Sequence, residues 1–239
     1  YEENENVIDF DLDKILSNDE NRKPNNLGLY RVACLCVAAS GYGKTTTILK
    51  ALLSGFIEDF GLIIVIIPRE SLNSGYYKTI YKKQVPGFLF YIIGEDTLPT
   101  IEQINQISDE IKKPIAIIMD DYVNALSKNE WLLYRRYITQ LSRVRFGASL
   151  FALTQDLYTL KPAYRKGFNL YIIFPASLTN IQFNDILRNY FQNMTFESDE
   201  LKTLYNTLKK DKHGALWLIN NNDPLHSIMF NNCWIKKAN

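Results

Sequence analysis

The chain has few cysteines and histidines, which limits the metal sites that it could build. It contains three cysteines and two histidines in 239 residues. His213 and His226 are not spaced to join the cysteines as metal ligands. Cys34 and Cys36 alternate with apolar residues, as in a packed strand. The sequence therefore predicts no metal site built from cysteines, and it favours a reducing compartment.

Long apolar runs and a strong net charge are also missing. The longest apolar run, 62–68, has the length of a strand, whereas a membrane span needs about twenty apolar residues. The net charge is only +1, which does not indicate a nucleic-acid binder but leaves room for a local basic stripe. We expect no membrane span and no secretory signal, although a further segment could precede Tyr1.

The length suits one sizeable α/β domain. Residues 1–29 are polar and predict an N-terminal arm with a short helix near 11–17, and residues 30–239 predict a single domain. Strands alternate with helices in this domain. The predicted strands are Tyr30–Val37, Gly61–Ile67, Phe88–Ile93, Ile115–Asp120, Ser149–Thr154 and Leu170–Phe174. The predicted helices begin at Thr45, Thr100, Asn129, Thr179 and Ser198.

Two features of these segments predict the form of the sheet. The runs 63–67 and 115–119 are apolar without alternation, which is typical of a parallel sheet covered on both faces. Residues 215–219 and 226–231, joined by the turn 220–224, predict an antiparallel hairpin. We therefore predict an α/β fold with a mostly parallel central sheet, helices on both faces and a C-terminal antiparallel hairpin.

A phosphate-binding P-loop is the strongest chemical signal. The segment Ala38–Thr45 reads AASGYGKT, between an apolar strand and a helix predicted over Thr46–Ser54. Backbone N–H groups of such a loop surround phosphate oxygens, and the helix directs its positive end to the same place. Ala38 stands where a glycine is usual, but that position mainly needs a small residue.

Each residue type in this loop has a physical reason to be there. Gly41 and Gly43 allow backbone torsions and close approaches that a side chain would block. Lys44 would reach the β- and γ-phosphates, and the Thr45 hydroxyl would bind Mg²⁺. The predicted nucleotide contacts are Ala39, Ser40, Gly41, Tyr42, Gly43, Lys44, Thr45 and Thr46. The segment thus predicts binding of a nucleoside triphosphate, with ATP and Mg²⁺ as the expected ligands.

Polar side chains follow the next two apolar strands of interest. Asp120 and Asp121 end the strand at 115–119, where Asp120 would hold Mg²⁺ through water and Asp121 would activate the attacking water. The second carboxylate argues for hydrolysis and for a strand inserted between the two motifs, as in motor ATPases. Gln155 ends the following strand and could sense the γ-phosphate. Taken alone, these residues could also simply terminate strands.

Arginines are the next candidates for residues that act on the phosphate groups. In a helix drawn through Trp131–Phe146, a buried stripe lies opposite Arg136 and Arg143, and Arg145 lies beside the next strand. The stripe contains Tyr134, Tyr137, Ile138 and Leu141. Arg165 follows a later turn. An arginine from a neighbouring subunit can neutralise charge on a transferred phosphoryl group. A solvated basic face is the better explanation of any single arginine, but within the set we expect at least one to act on phosphate and others to contact DNA or a neighbouring subunit.

Basic and aromatic residues interleave in the segment Tyr76–Lys83, downstream of Arg69. Its lysines could contact a nucleic-acid backbone, with the tyrosines stacking on bases. An amphipathic surface helix explains the same pattern, and both interpretations stay open.

The order of these elements resembles the FtsK–HerA superfamily, most closely the genome-packaging ATPases of nucleocytoplasmic large DNA viruses, virophages and their relatives. The matching features are the P-loop, Asp120 with Asp121, Arg145, Gln155 and Arg165. Two departures are Ala38 and Phe146, which stands where a histidine is common.

The resemblance implies a RecA-like P-loop core of the ASCE class that forms a homo-oligomeric ring, a hexamer or a pentamer. Such rings drive double-stranded DNA into a preformed capsid, so the implied partners are double-stranded DNA, other copies of the chain and the capsid or its packaging vertex. The implied location is the virion or the host-cell cytoplasm. Asp121 and Gln155 would be catalytic, and Arg165 or Arg145 would be the arginine finger.

Three alternatives stay open at this point. A HerA-like helicase or DNA-transfer ATPase would use the same residues, although the short chain disfavours it. A nucleotide-gated assembly adaptor would bind ATP and hardly hydrolyse it. A small-molecule kinase is disfavoured, because no lid or substrate-pocket motif is visible.

Overall fold

A computed structural model of the protein describes residues 31–55, 57–190, 198–219, 228–230 and 234–235. The strands are β1 (Ala33–Val37), β2 (Leu62–Ile67), β3 (Phe88–Ile92), β4 (Ile115–Met119), β5 (Ala148–Thr154), β6 (Leu170–Ile173), β7 (Leu216–Ile219), β8 (Ile228–Phe230) and β9 (Trp234–Ile235). The α-helices are α1 (Lys44–Leu53), α2 (Gly75–Lys83), α3 (Ile101–Ile111), α4 (Lys128–Gln140), α5 (Pro162–Arg165), α6 (Asn180–Tyr190) and α7 (Ser198–Leu208). The predicted arm at 1–29 and the predicted turn at 220–224 lie outside the described residues.

These strands form one sheet in the order β3-β2-β4-β5-β1-β6-β7-β8-β9. The six strands from β3 to β6 pair in parallel, and the remaining pairs are antiparallel. The mostly parallel sheet and the antiparallel hairpin β7–β8 are therefore confirmed. β5 lies between β1 and β4, which confirms the strand expected between the loop and the aspartate pair.

Apolar side chains cover both faces of the sheet, because alternate residues of each buried strand point to opposite layers. In β1, Cys34 and Cys36 pack on the side of α1 and α2, whereas Leu35 and Val37 pack on the side of α3 to α7. Burial raises the pKa of the Cys34 thiol well above its usual range. Both cysteines are thus core residues in a three-layer arrangement.

The parallel register brings three strand ends together. Val37 of β1 is paired with Thr154 of β5, and Met119 of β4 is paired with Ala152 of β5. The segments that follow β1, β4 and β5 therefore leave the sheet at the same edge. Open α/β sheets bind ligands at this carboxyl edge.

The capping signals in the sequence correspond to observed helix starts. Thr100 and Gln103 form the expected capping box at α3. Ser127 and Glu130 form a second one, so α4 begins slightly earlier than its expected start at Asn129. In the part of the chain that the structure describes, no helix combines the length and apolar character that a membrane crossing requires.

The expected continuous helix through Trp131–Phe146 is wrong. α4 ends at Gln140, a 3₁₀ turn at Leu141–Arg143 follows, and Gly147 has a φ of 97° just before β5. The chain must reverse direction to enter the parallel strand, and a glycine in the left-handed region permits this turn. The predicted stripe is still buried through Leu141, but Arg143 does not share a helical face with Arg136.

Candidate active site

The P-loop residues form a tight turn between β1 and α1. Gly41 and Gly43 have φ values of 77° and 96°, in the region that favours glycine. α1 begins at Lys44, and no side chain caps its first turn. Its first N–H groups can therefore donate hydrogen bonds to an anion instead of to a capping oxygen. Ala38 is fully buried, which agrees with the need for a small residue at this position.

Lys44 holds the loop from within. The residue is only 8% exposed, and Nζ donates hydrogen bonds to the carbonyl oxygens of Ala38 at 2.6 Å and Ala39 at 3.2 Å. The backbone N–H of Ala39 in turn donates to Ser177 Oγ at 2.6 Å. The ammonium group is thus already placed at the phosphate loop.

Thr45 and Asp120 form an oxygen pair beside this ammonium group. Thr45 Oγ1 donates to Asp120 Oδ2 at 2.7 Å, and Asp120 is 5% exposed. Burial raises the pKa of Asp120, while the hydrogen bonds from Thr45 and Tyr77 and the charge of Lys44 oppose the rise. Since the Thr45 hydrogen points to the carboxylate, the lone pairs on its oxygen remain available to a cation.

The donor set fits Mg²⁺ better than a softer metal. Mg²⁺ prefers oxygen ligands and is usually held by one or two side chains, water and substrate phosphates. Among the described residues, no group of three histidines, cysteines or carboxylates could hold a metal by itself. A site of Thr45 and Asp120 is therefore consistent with a cation that arrives with a nucleotide.

Asp121 and Gln155 lie on the other side of the same cleft. Gln155 Nε2 donates to Asp121 Oδ1 at 3.2 Å, and the Asp121 N–H donates to Asp120 Oδ1 at 3.0 Å. Asp121 has a φ of 52°, which is uncommon for a residue other than glycine. Such strained residues often occur at functional sites. Asp121 and Gln155 are both exposed to the cleft, whereas Asp120 is buried.

The cleft has a volume of about 280 Å³. Its lining includes the loop, both aspartates, Gln155 and the start of α2, where Tyr76 and Tyr77 lie. The structure therefore brings together the side chains of Lys44, Thr45, both aspartates and Gln155. Such a site can bind phosphate oxygens and a divalent cation and can position a water molecule beside a carboxylate.

Neither candidate arginine lines this cleft. Arg145 precedes β5 at the opposite edge of the sheet, its side chain is 73% exposed, and Nη1 lies 3.7 Å from Asp109 Oδ1. Arg165 is 9% exposed at the end of α5, where its guanidinium lies 5.5 Å from the centre of the Tyr158 ring. Its Nε has no hydrogen-bond partner among the described residues. Only Arg145 is exposed enough to reach a neighbouring molecule.

Sequence reasoning missed two groups of residues near the site. Ser71 and Tyr77, which follow β2, donate hydrogen bonds to Asp121 and Asp120. Before β7, His213 Nδ1 lies 3.2 Å from the Tyr42 carbonyl oxygen, and Lys212 Nζ lies 5.6 Å from the centre of the Tyr42 ring. No local pattern in the sequence indicates these partners.

The segment Tyr76–Lys83 forms the amphipathic helix that was one of its two interpretations. Tyr77 and Ile80 are buried, while Lys78 and Lys82 are exposed. Tyr77 is therefore not available to stack on a nucleic-acid base. Its spacing from Ile80 matches one helical turn, so burial of Tyr77 was predictable, although its contact with Asp120 was not.

Comparison with solved structures identifies the fold. The DNA-packaging ATPase B204 from Sulfolobus turreted icosahedral virus superposes with a TM-score of 0.56 at 12% identity, over 84% of this chain and 97% of B204. The chain has the RecA-like fold of P-loop ATPases. The genome packaging NTPase B204 from Sulfolobus turreted icosahedral virus 2, in complex with sulfate, matches this P-loop fold with a TM-score of 0.53 at 16% identity, over 83% of this chain and 95% of that one.

The same viral NTPase in complex with AMPPCP gives a TM-score of 0.52 at 15% identity, over 83% of this chain and 96% of that one. No protein-family model matches the sequence. A search of curated proteins finds no match either. The assignment of the P-loop fold therefore rests on the structure, because the two searches above found no match.

Proposed function

We propose that the protein is a Mg²⁺-dependent ATPase that moves double-stranded DNA into a preformed viral capsid. The observation that carries this proposal is the meeting of Asp121 and Gln155 at the phosphate loop, on a sheet with β5 between β1 and β4. A carboxylate and an amide at that place can hold and activate a water molecule. A protein that only binds phosphate does not need them.

The phosphate loop, the two aspartates and Gln155 each have a role in this proposal. The N–H groups of residues 40–46 and the Lys44 ammonium group bind the phosphates, whereas the N–H of Ala39, also predicted as a contact, donates to Ser177. Thr45 and Asp120 would hold Mg²⁺, which would neutralise phosphate charge when bound. Asp121 takes the proton of the attacking water, and Gln155 responds to the presence of the γ-phosphate.

Packaging is the finer part of the proposal. It is supported by the likeness in fold to B204, a genome-packaging NTPase by description, over nearly the whole of that chain. Residues 30–239 would form one ATPase domain that assembles into a ring, with residues 1–29 as an arm. The partners would be double-stranded DNA and a capsid vertex, at the site of virus assembly in the host cell or in the virion.

DNA-stimulated ATP turnover tests this function. We expect the purified protein to form a ring in mass photometry with ATP, and we expect duplex DNA to raise its steady-state ATPase rate severalfold. Binding of ATP with no hydrolysis, with or without DNA, would instead favour a nucleotide-gated adaptor. Stimulation by single strands with unwinding of a duplex would favour a HerA-like helicase.

Arg145 is the arginine that we propose acts on the ATP of a neighbouring subunit. Its side chain is exposed and makes only weak contacts, a long ion pair with Asp109 and a contact with the Phe146 ring, whereas Arg165 is buried. We expect Arg145→Ala to lower ATP turnover about a thousandfold, because an arginine finger contributes factors of this size. The measurement is steady-state ATPase activity, with Arg135→Ala as the control because Arg135 is exposed on α4.

Mixing two inactive variants tests whether Arg145 acts between subunits. A Lys44→Ala subunit retains Arg145, and an Arg145→Ala subunit retains an intact phosphate loop. Mixed rings should therefore hydrolyse ATP faster than the two variants measured separately. The absence of any gain in mixed rings, with assembly verified, would contradict action between subunits.

A further inference from the structure

Two hydroxyl groups from one segment reach the two carboxylates of the site. The segment follows β2 and consists of a 3₁₀ turn at Arg69–Asn73 and helix α2. Ser71 Oγ donates to Asp121 Oδ2 at 3.1 Å, and the Tyr77 hydroxyl donates to Asp120 Oδ2 at 3.0 Å. We refer to Ser71 and Tyr77 as the hydroxyl pair. Neither residue has a role in the steps described above.

The burial of the hydroxyl pair shows that these contacts are built into the fold. Tyr77 is 2% exposed, and its ring meets the Phe90 ring edge-on with centroids 6.3 Å apart. A buried tyrosine hydroxyl needs a polar partner, and Asp120 provides it here. An ionised carboxylate can only accept hydrogen bonds, so the Tyr77 hydroxyl is the donor in this contact.

With Tyr77 in place, Asp120 cannot rotate freely. Its Oδ2 accepts from both Thr45 and Tyr77, while its Oδ1 accepts from the N–H of Asp121. Groups that hold a metal-binding carboxylate in one orientation commonly affect the affinity for the metal. Removing the Tyr77 hydroxyl would leave the Asp120 carboxylate with one side-chain donor, Thr45, which is itself a candidate ligand.

Asp121 is held in a comparable way. Ser71 donates to its Oδ2 and Gln155 donates to its Oδ1, so each oxygen accepts one hydrogen bond from a side chain. Each oxygen has a second lone pair that can accept from a water molecule. The two donors together keep the carboxylate in one orientation toward that water.

We propose that Tyr77 and Ser71 are positioning residues of the ATPase site, Tyr77 for the Mg²⁺-binding orientation of Asp120 and Ser71 for the orientation of Asp121. This inference rests on the ATPase part of the proposed function and does not depend on DNA. The two residues are expected to affect different properties of the site. Loss of the Tyr77 hydroxyl weakens the response to Mg²⁺, whereas loss of the Ser71 hydroxyl slows turnover.

The first test uses Tyr77→Phe, with Tyr81→Phe on the exposed side of the same helix as the control. Binding of a fluorescent, non-hydrolysable ATP analogue is measured as MgCl₂ is titrated, and again in EDTA. For Tyr77→Phe, we expect the Mg²⁺ concentration at half-maximal binding to rise about tenfold, a typical effect of losing a group that orients a metal ligand. Affinity in EDTA should not change, and Tyr81→Phe should behave as wild type.

The second test uses Ser71→Ala, with Ser71→Thr as a variant that restores the hydroxyl. We expect Ser71→Ala to lower kcat for ATP about tenfold. The substitution removes the hydrogen bond by which Ser71 orients the charged carboxylate of Asp121, the proposed base. Its Mg²⁺ titration should match that of the wild type. Ser71→Thr should recover most of the lost turnover.

Several results would overturn the inference. An unchanged Mg²⁺ titration for Tyr77→Phe would do so, as would an equal loss of affinity in MgCl₂ and in EDTA accompanied by a lower Tm, which indicates packing alone. Unchanged kcat for Ser71→Ala would remove its half of the proposal. Wild-type protein whose nucleotide binding ignores Mg²⁺ would overturn the proposed function as well, so the two failures can be told apart.

Discussion

Lys44→Ala is expected to abolish ATP turnover, with a loss of at least about a thousandfold, as is typical when a group that stabilises developing charge is removed. In the folded protein, Nζ already lies at the loop, bound to the carbonyl oxygens of Ala38 and Ala39. The substitution removes the positive charge from the phosphate site and also leaves these two oxygens without their donor. Steady-state ATPase activity measures the effect.

The matched control for this loss is Lys50→Ala. Lys50 lies on the same helix, is exposed and does not line the cleft. The Lys50→Ala variant should hydrolyse ATP as the wild type does, and both variants should show a cooperative thermal transition. Full turnover by a folded Lys44→Ala variant would remove Lys44, and with it the P-loop, from the catalytic assignment.

Asp121→Asn is expected to bind ATP and to retain it without hydrolysis. Loss of a general base lowers turnover by about a hundredfold to ten-thousandfold. Asparagine tolerates a positive φ about as well as aspartate does, so the strained backbone at 52° should be kept. The oxygen of the uncharged amide can still accept hydrogen bonds, but the amide cannot take a proton from water.

Two measurements separate binding from chemistry for Asp121→Asn. Equilibrium binding of a fluorescent ATP analogue should resemble that of the wild type, while single-turnover hydrolysis should be nearly absent. Asp59→Asn is the control, because Asp59 forms an exposed ion pair with Lys113 away from the cleft. Hydrolysis by Asp121→Asn at the wild-type rate would contradict the role of Asp121 as the base.

Much of the fold was predictable because its signals are local. All six strands that were predicted for the parallel sheet are present, and each observed boundary lies close to the expected one. Apolar runs without alternation indicate strands covered on both faces, and the capping box at Thr100 marks the start of α3. The end of α4 was missed, because Leu141 continues the buried stripe through a 3₁₀ turn and so extends the apparent helical pattern.

The candidate site was predictable only in part. Lys44, Thr45, Asp120, Asp121 and Gln155 each follow a strand or begin a helix, and parallel strands bring such positions to one edge. The hydroxyl pair was not predictable in this way. Tyr77 and Asp120 are 43 residues apart, and Ser71 and Asp121 are 50 apart. Those contacts depend on how α2 packs against the sheet.

The sequence by itself determined the chemistry of the phosphate loop and the residues that end β4 and β5. Glycine torsions, capping and apolar patterning act over a few neighbouring residues, so they are visible in a linear sequence. Only the tertiary structure decided that Arg145 and Arg165 are outside the cleft and that the hydroxyl pair holds the two carboxylates. The partners of buried polar groups come from packing between distant segments, which no local pattern specifies.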